Sequence, residues 1–348
     1  MAVALPMVTR SQLAPVVRVP IATTPLVSIV IVNYRRWEET AHLVEQLLGE
    51  AHIFRDHLEV IVVDNASPRH PLEERLQAYE RVRIVRLEQN CGFSAGVNAG
   101  YKLCQAPWLM VLNPDVVLCP GFADSLCAAV RDVDEDGAHG LPIGVVGFRL
   151  RNRDGTTQLS TGLFPSLSRM ILGLLRPRKT RKYIVPTGTE RQKVPWVTGS
   201  CMLIRRECMA QLGGFDESYF LYYEDVDLCR RALAHGWAVC YEPMLEAVHL
   251  DPLQNRPLTE PMRAITRHAS LTYFRKHLGG WQFWGLAQII RTEALLRQGW
   301  LRLRGRPKDA RICGQLRRLC DDLLWRQPEV ARQRLQKVLE LAGMTARK

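Results

Sequence analysis

Val27-Ser28-Ile29-Val30-Ile31-Val32-Asn33 is a nearly unbroken β-branched run that closes on an amide. Such a run suits a strand buried on both faces, as in a parallel sheet covered by helices. A helical pattern follows through Leu48, and the alternation then repeats. A strand is expected at Leu58 to Val63, a helix near Pro71 to Tyr79, a strand at Val82 to Leu87, a helix from Ser94 to Cys104 and a strand at Trp108 to Leu112. Strands alternating with helices at this spacing predict an α/β domain with a parallel, doubly wound sheet. In such sheets ligands bind beyond the carboxyl ends of the strands. Polar residues gather at those ends: Asn33 and Tyr34, Asp64-Asn65-Ala66-Ser67, Asn90-Cys91-Gly92, and Asn113-Pro114-Asp115. One Asn or Asp there is ordinary turn chemistry. Four converging on one edge describe a site.

The third helix opens as Asn90-Cys91-Gly92-Phe93-Ser94-Ala95-Gly96-Val97-Asn98-Ala99-Gly100. Small residues let a diphosphate or ribose approach the amides of a helix N-terminus, and they serve close helix packing equally well. The segment is not the GxGxxG fingerprint of dinucleotide dehydrogenases, because Asn90 takes the first position and no glycine follows Gly92 at the required spacing. Asn113-Pro114-Asp115 sets two oxygen-bearing side chains two residues apart, which suits a hard divalent cation bridging a diphosphate but is also a good turn. Farther on, Glu224-Asp225-Val226-Asp227 crowds carboxylates at the start of an expected helix, after an aromatic run (Tyr219 to Tyr223) read as a strand. A carboxylate kept ionised by the positive helix end can act as a general base. Acidic residues also cap helices for structural reasons alone.

The chain has 348 residues, enough for a large α/β domain with an appendage. Ten cysteines are scattered without a CxxC pair, a pattern suited to a reducing compartment. Residues 1–25 hold four prolines, two arginines and no continuous apolar stretch, so they read as a flexible leader rather than a signal peptide. The net charge of +12 is uneven: from Lys276 onward 16 Lys and Arg face 6 Asp and Glu. Interleaved with these charges are Trp281, Phe283, Trp284, Trp300 and Trp325, a mixture that fits an anionic membrane surface as well as it fits a solvated helical bundle. Nucleic acid is the less favoured partner.

As an ordered set, Val27 to Tyr34, Val63 to Ser67, Asn90 to Asn98, Leu112 to Asp115, Val197 to Arg206 and Gly213 to Arg231 resemble the motif series of glycosyltransferase family 2, and most closely its bacterial rhamnosyltransferase-like branch. The resemblance runs over roughly residues 26 to 275. It implies a GT-A fold, Rossmann-like and doubly wound, with a nucleotide-binding half over 26–115, an acceptor half over 116–275 and a basic α-helical extension over 276–348. By the same resemblance the nucleotide would be held by Asn33, Tyr34, Asp64, Asn65, Asn90, Gly92, Asn98 and Asn113. The last acid of the family's DxD element corresponds to Asp115, while the first is replaced by Asn113. His249 lies where a histidine completes the metal shell in related enzymes, so Asp115 and His249 are the expected ligands of Mg2+ or Mn2+. Asp225 is the expected base with Glu224 assisting, and Trp196, Gly199 and Ser200 would line the acceptor side.

The function implied is that of an inverting, metal-dependent transferase taking a sugar from a nucleotide donor. The favoured donor is dTDP-rhamnose, with a UDP-hexose or UDP-N-acetylhexosamine as the second choice. The acceptor is expected to be a saccharide or lipid-linked saccharide met in the cytoplasm, with peripheral attachment at the inner membrane face. A noncatalytic protein that binds sugar nucleotides or polysaccharide is the alternative from another class. The basic stretch Arg169 to Lys193 is read as a mobile loop that closes over donor or acceptor.

Overall fold

Strand β1 (Val27–Asn33) is buried at every position, as its β-branched run requires. It pairs in parallel with β2 (Leu58–Asp64) on one side and β4 (Trp108–Leu112) on the other, with Asn33 opposite Asp64 at the carboxyl end. Strand β3 (Val82–Arg86) extends the parallel set beyond β2. This computed structural model describes residues 25–50, 57–138, 142–173, 183, 184, 186, 188–252, 257–325 and 327–344. The expected leader, up to residue 24, and much of the basic stretch between Arg169 and Lys193 lie outside them.

The expectation of a parallel sheet holds for these four strands, and beyond them the pairing is mixed. Strand β10 (Cys201–Arg205) runs antiparallel to both β4 and β6 (Ile143–Arg151). Strand β11 (Ala238–His249) is parallel to β6 but antiparallel to β5 (Val116–Leu118) and β8 (Gln192–Lys193). The order is β3-β2-β1-β4-β10-β6-β11-β5, with β8 on β11, and β7 (Thr161–Gly162) forms a separate ribbon with β9 (Trp196–Val197). Past Asp115 the sequence loses the regular strand–helix alternation that demands parallel crossovers, so mixed pairing becomes available.

Helices α1 (Trp37–Gly49) and α4 (Phe122–Ala138) belong to the first layer of cover, with Trp37, Leu43, Val44, Leu47, Phe122 and Leu126 sharing one core with Ile29, Ile31, Val60 and Val62. Each such side chain contributes about 1.5–3 kcal/mol by leaving water. Helix α2 (Pro71–Gln77) follows β2. Helix α3 (Phe93–Tyr101) lies so close to β1 that a Cβ on Gly96 would meet Val32 Cγ1 at 2.7 Å, and one on Gly100 would meet Val30 Cγ1 at 2.6 Å. Two of its small residues therefore serve close packing. Beneath the sheet, the buried Glu59 accepts hydrogen bonds from Ser28 Oγ at 2.5 Å and the Gln105 N–H at 2.9 Å. The Arg83 guanidinium supplies its counter-charge, as a buried carboxylate requires.

By its internal contacts the chain divides into two units: residues 1–164, 183–216 and 225–252, and residues 165–182, 217–224 and 253–348. The second holds α5 (Leu167–Gly173) and four helices, α8 (Glu260–His277), α9 (Gly280–Leu303), α10 (Pro307–Leu324) and α11 (Pro328–Leu341). Thr259 caps α8 by accepting from the Met262 N–H at 3.5 Å. Inside this bundle Glu260 is gripped by Arg297, with Nε at 2.9 and 3.0 Å from its two oxygens. Glu293 in turn joins Arg263 at 2.8 Å and Arg267 at 3.0 Å. The aromatic run expected as a strand is instead a bend. Tyr222 and Tyr223 have φ of 74° and 68°, a left-handed conformation that cannot continue an extended chain.

Candidate active site

The carboxyl ends of β1 and β2 are tied into one network. Asn33 Nδ2 donates to Asp64 Oδ1 at 2.8 Å, and Asn33 Oδ1 accepts from the Arg36 N–H and the Thr40 hydroxyl, both at 3.1 Å. Asp64 also accepts the Ser67 N–H at 3.1 Å and faces Arg86 Nη1 at 3.2 Å. Burial pushes the Asp64 carboxyl up, and the Ser67 hydrogen bond and Arg86 charge pull against that rise. Asn65 fastens the next loop: its Nδ2 donates to the Gly92 carbonyl at 3.0 Å and its Oδ1 accepts the Cys91 N–H at 2.9 Å. Asn90 Oδ1 accepts the Gly92 N–H at 3.1 Å. Gly92, at φ 91°, is the cap residue of α3, in a conformation that excludes most side chains. The chain thus builds one rim from three strand ends, with Tyr34 beside it under the Arg35 guanidinium.

Asn98 does different work. Its amide accepts from the Phe215 N–H and donates to the Phe215 carbonyl, both at 2.9 Å. A Cβ on Gly214 would lie 2.6 Å from Asn98 Oδ1, so the bare Gly214 is what lets the amide close on the backbone. Asn98 therefore positions the segment that leads toward the acidic helix rather than presenting its amide to a ligand.

Asp115 and His249, the two expected cation ligands, lie side by side. His249 Nε2 stands 3.3 Å from Asp115 Oδ1, and both side chains are about 95% buried (5% and 4% exposed). That nitrogen makes no hydrogen bond, so the contact is a short approach outside bonding direction. On the other side of the ring, Gln158 Nε2 lies 2.9 Å from His249 Nδ1, while Gln158 Oε1 has no partner. Turning the Gln158 amide over would let Oε1 accept Nδ1–H and leave the Nε2 lone pair toward Asp115, the tautomer that a ligating histidine needs. The donor set, one carboxylate and one imidazole, fits Mg2+ or Mn2+ when phosphate oxygens and water fill the remaining positions. Among the described residues no group of three or more His, Cys, Asp or Glu side chains is gathered for a metal.

Three residues near this pair carry no signal that the motifs disclosed: Gln158, Arg36 and Asp251. Arg36 Nη1 is 3.4 Å from Asp115 Oδ2, and its Nη2 is 3.2 Å from Asp251 Oδ2.

Helix α6 (Arg206–Gln211) follows β10, and helix α7 (Glu224–Ala234) starts at the acidic cluster, with Glu224 buried in its first turn. Asp225 Oδ2 accepts the Gly199 N–H at 3.1 Å, and its Oδ1 accepts the Val226 N–H at 2.8 Å. Asp227 is spent on Arg231, whose Nε lies 2.7 Å away. Ser200 is buried, and its carbonyl accepts the Asn113 N–H at 2.9 Å, joining the turn before β10 to the Asn113-Pro114-Asp115 turn. Trp196 is 2% exposed, with its Nε1 donating to the Leu163 carbonyl at 3.1 Å. Its indole packs inside, with the Tyr183 ring 5.7 Å away, and has no exposed face to stack on a sugar.

The family described as Glycosyltransferase like family 2 matches residues 24–276. The chain is 32% identical over 245 residues to the N-acetylglucosaminyl-diphospho-decaprenol L-rhamnosyltransferase of Mycobacterium tuberculosis, covering 64% of this chain and 76% of that protein. It is 26% identical over 237 residues to rhamnosyltransferase WbbL of Escherichia coli, covering 66% of this chain and 86% of that one. The mixed α/β sheet and the helical C-terminal region agree with the GT-A fold. A family match that takes in every strand of that sheet, together with rhamnosyltransferase relatives over most of their length, places the chain in glycosyltransferase family 2 as a transferase.

Proposed function

We propose that this transferase moves rhamnose from dTDP-rhamnose to a saccharide acceptor carried on a lipid diphosphate, with inversion at the anomeric carbon and with Mg2+ or Mn2+ bound. The observation that carries the reading is the Asp225 carboxylate, fixed by the Gly199 and Val226 N–H groups at the start of α7. Two N–H donors and the helix start thus aim a carboxylate where a hydroxyl proton can be taken. An acceptor hydroxyl attacks the anomeric carbon from the face opposite the nucleoside diphosphate. The new C–O bond forms as the old one breaks, the electron pair leaves on the diphosphate oxygen, and the hydroxyl proton goes to Asp225. Glu224 assists as the neighbouring acid.

The rim made by Asn33, Asp64, Asn65, Asn90 and Gly92 would take the base and ribose, with Tyr34 and Asn113 at its edge. Asp115 and His249 would hold the cation, which when bound neutralises charge on the departing diphosphate. Gly199 and Ser200 would line the acceptor side. The name of the Mycobacterium relative specifies a diphospho-decaprenol acceptor, which supports a lipid-linked substrate here. Among the described residues no helix is long and apolar enough to cross a membrane. The proposed route to such a substrate is therefore peripheral, at the cytoplasmic face, through the basic C-terminal helices.

The test is a panel of nucleotide sugars, dTDP-rhamnose against UDP-hexoses and UDP-N-acetylhexosamines, offered with a polyprenyl-diphosphate-linked saccharide. Transfer from dTDP-rhamnose with the opposite anomeric configuration in the product is expected. Turnover of a UDP-sugar alone, or retention of configuration, overturns the donor or the mechanism respectively.

A further inference from the structure

The carboxylates near His249 share a cation that the chain itself supplies. The Arg36 guanidinium reaches Asp115 with Nη1 at 3.4 Å and Asp251 with Nη2 at 3.2 Å. Glu39, in the first turn of α1, lies 3.5 Å from Nη1. Asp115 is almost wholly buried, and its other oxygen faces the His249 nitrogen that makes no hydrogen bond. One buried carboxylate is thus turned on one side to a permanent cation and on the other to a nitrogen that makes no hydrogen bond.

We propose that Arg36 is a built-in competitor of the divalent cation: it occupies Asp115 in the nucleotide-free protein and moves onto the diphosphate when nucleotide and cation bind together. The inference rests on the reading of Asp115 and His249 as cation ligands.

A guanidinium stays charged at every pH the protein meets, so an ion placed on Asp115 beside it is repelled at short range. A cation arriving alone finds its carboxylate already neutralised. A nucleoside diphosphate changes the balance, because the planar fork that pairs with carboxylate pairs equally well with phosphate. The local structure allows this exchange. The Arg36 N–H is pinned to Asn33 Oδ1 at 3.1 Å and its carbonyl accepts the Thr40 N–H at 2.9 Å, while its side chain is 33% exposed. Before it, Arg35 is held in a left-handed turn at φ 59° by its N–H bond to Ser67 Oγ at 2.7 Å. The backbone is fixed, and the partly exposed guanidinium is held by carboxylates, partners that a diphosphate can replace. Binding would then be ordered, with the cation taken up only alongside the nucleotide.

The experiment is a Mn2+ titration of the full chain, followed by electron paramagnetic resonance, with and without dTDP or UDP. Without nucleotide, Arg36→Met and Arg36→Gln should bind Mn2+ roughly tenfold or more tightly than wild type, because the competing charge is gone. Arg36→Lys, which keeps the charge, should stay as weak as wild type and serves as the control for folding. With Mn2+ present, the Met and Gln variants should bind dTDP or UDP more weakly, since a phosphate partner is lost. A residue that merely supported the site would lower both affinities. Mn2+ uptake with nucleotide in wild type, but no gain in the nucleotide-free Met and Gln variants, overturns the competition alone. No Mn2+ uptake in any protein even with nucleotide overturns the cation reading and the competition together.

Discussion

Gly199 donates its backbone N–H to Oδ2 of Asp225 at 3.1 Å, across 26 residues of sequence, and so fixes the carboxylate from the strand side while α7 fixes it from below. A Cβ on Gly199 would lie 3.6 Å from the Asp225 Cβ and from the Phe93 ring, an ordinary contact. What matters at Gly199 is therefore its N–H. Asp225→Asn keeps the shape but cannot take a proton, so transfer should fall roughly 100-fold or more, within the range of general base catalysis. Dissociation constants for dTDP and UDP should stay near wild type. Near-normal turnover in this variant would remove Asp225 from the chemistry.

For the cation, Asp115→Ala should weaken nucleotide binding chiefly when Mg2+ or Mn2+ is present. Calorimetry with and without chelator measures this directly, because the two conditions should differ in wild type and converge in the variant. Equal wild-type affinity in both conditions would mean that Asp115 and His249 do not serve an ion.

The sequence carried the first half of the sheet plainly and the second half poorly, for a physical reason. A strand buried on both faces writes itself as a β-branched run, and Val27–Asn33 and Leu58–Asp64 do so. Short strands such as Trp196–Val197 have no period to detect, and their antiparallel pairing depends on partners far along the chain. The same holds at the site. Asp115 and His249 stood in motifs, whereas Gln158 reaches His249 across 91 residues and Arg36 reaches Asp115 across 79. The Tyr222-Tyr223 bend was hidden because aromatic residues favour strands, and only the left-handed φ at both positions reveals it. Asn98 and Trp196 were found as polar or aromatic signals, but their hydrogen bonds go to the protein itself.

The helical unit should show an acid-sensitive step traceable to His268. Its side chain is buried, its Nδ1 has no hydrogen-bond partner, and burial with the nearby Arg332 charge lowers its pKa from 6.5 to about 4. The unfolded chain therefore binds this proton more readily than the folded one. The stability that depends on a neutral His268 is complete above about pH 6.5 and is lost as pH falls toward 4, a span worth about 3 kcal/mol by linkage. Urea unfolding between pH 7 and 4 should show the decline, and His268→Leu should flatten it. An unchanged slope in that variant would assign the acid sensitivity elsewhere.

Helix α9 carries the last prediction. Trp281, Trp284, Leu296 and Leu303 are 72%, 60%, 69% and 90% exposed, and Ile289, Leu295 and Trp300 are exposed too. At 100° per residue these positions fall within about 160° of arc on one side of the helix. Arg304 lies over the Trp300 ring, 5.2 Å from its centroid, a placement that lets the charge reach upward while the indole goes down. Leaving that face in water forgoes apolar burial, and an anionic bilayer supplies both the burial and about 1 kcal/mol per nearby Lys or Arg. Removing the whole region is a poor test, because Ala264 in α8 packs on Ile312 and Val338 from α10 and α11, and truncation would expose that core. Replacing Trp281, Trp284 and Leu303 together by serine alters the exposed face and spares the packing. The triple variant should keep its nucleotide affinity and its circular dichroism but lose flotation with vesicles containing anionic lipid at low salt. Wild-type protein that floats no better with anionic than with neutral vesicles would leave this face to a protein partner instead.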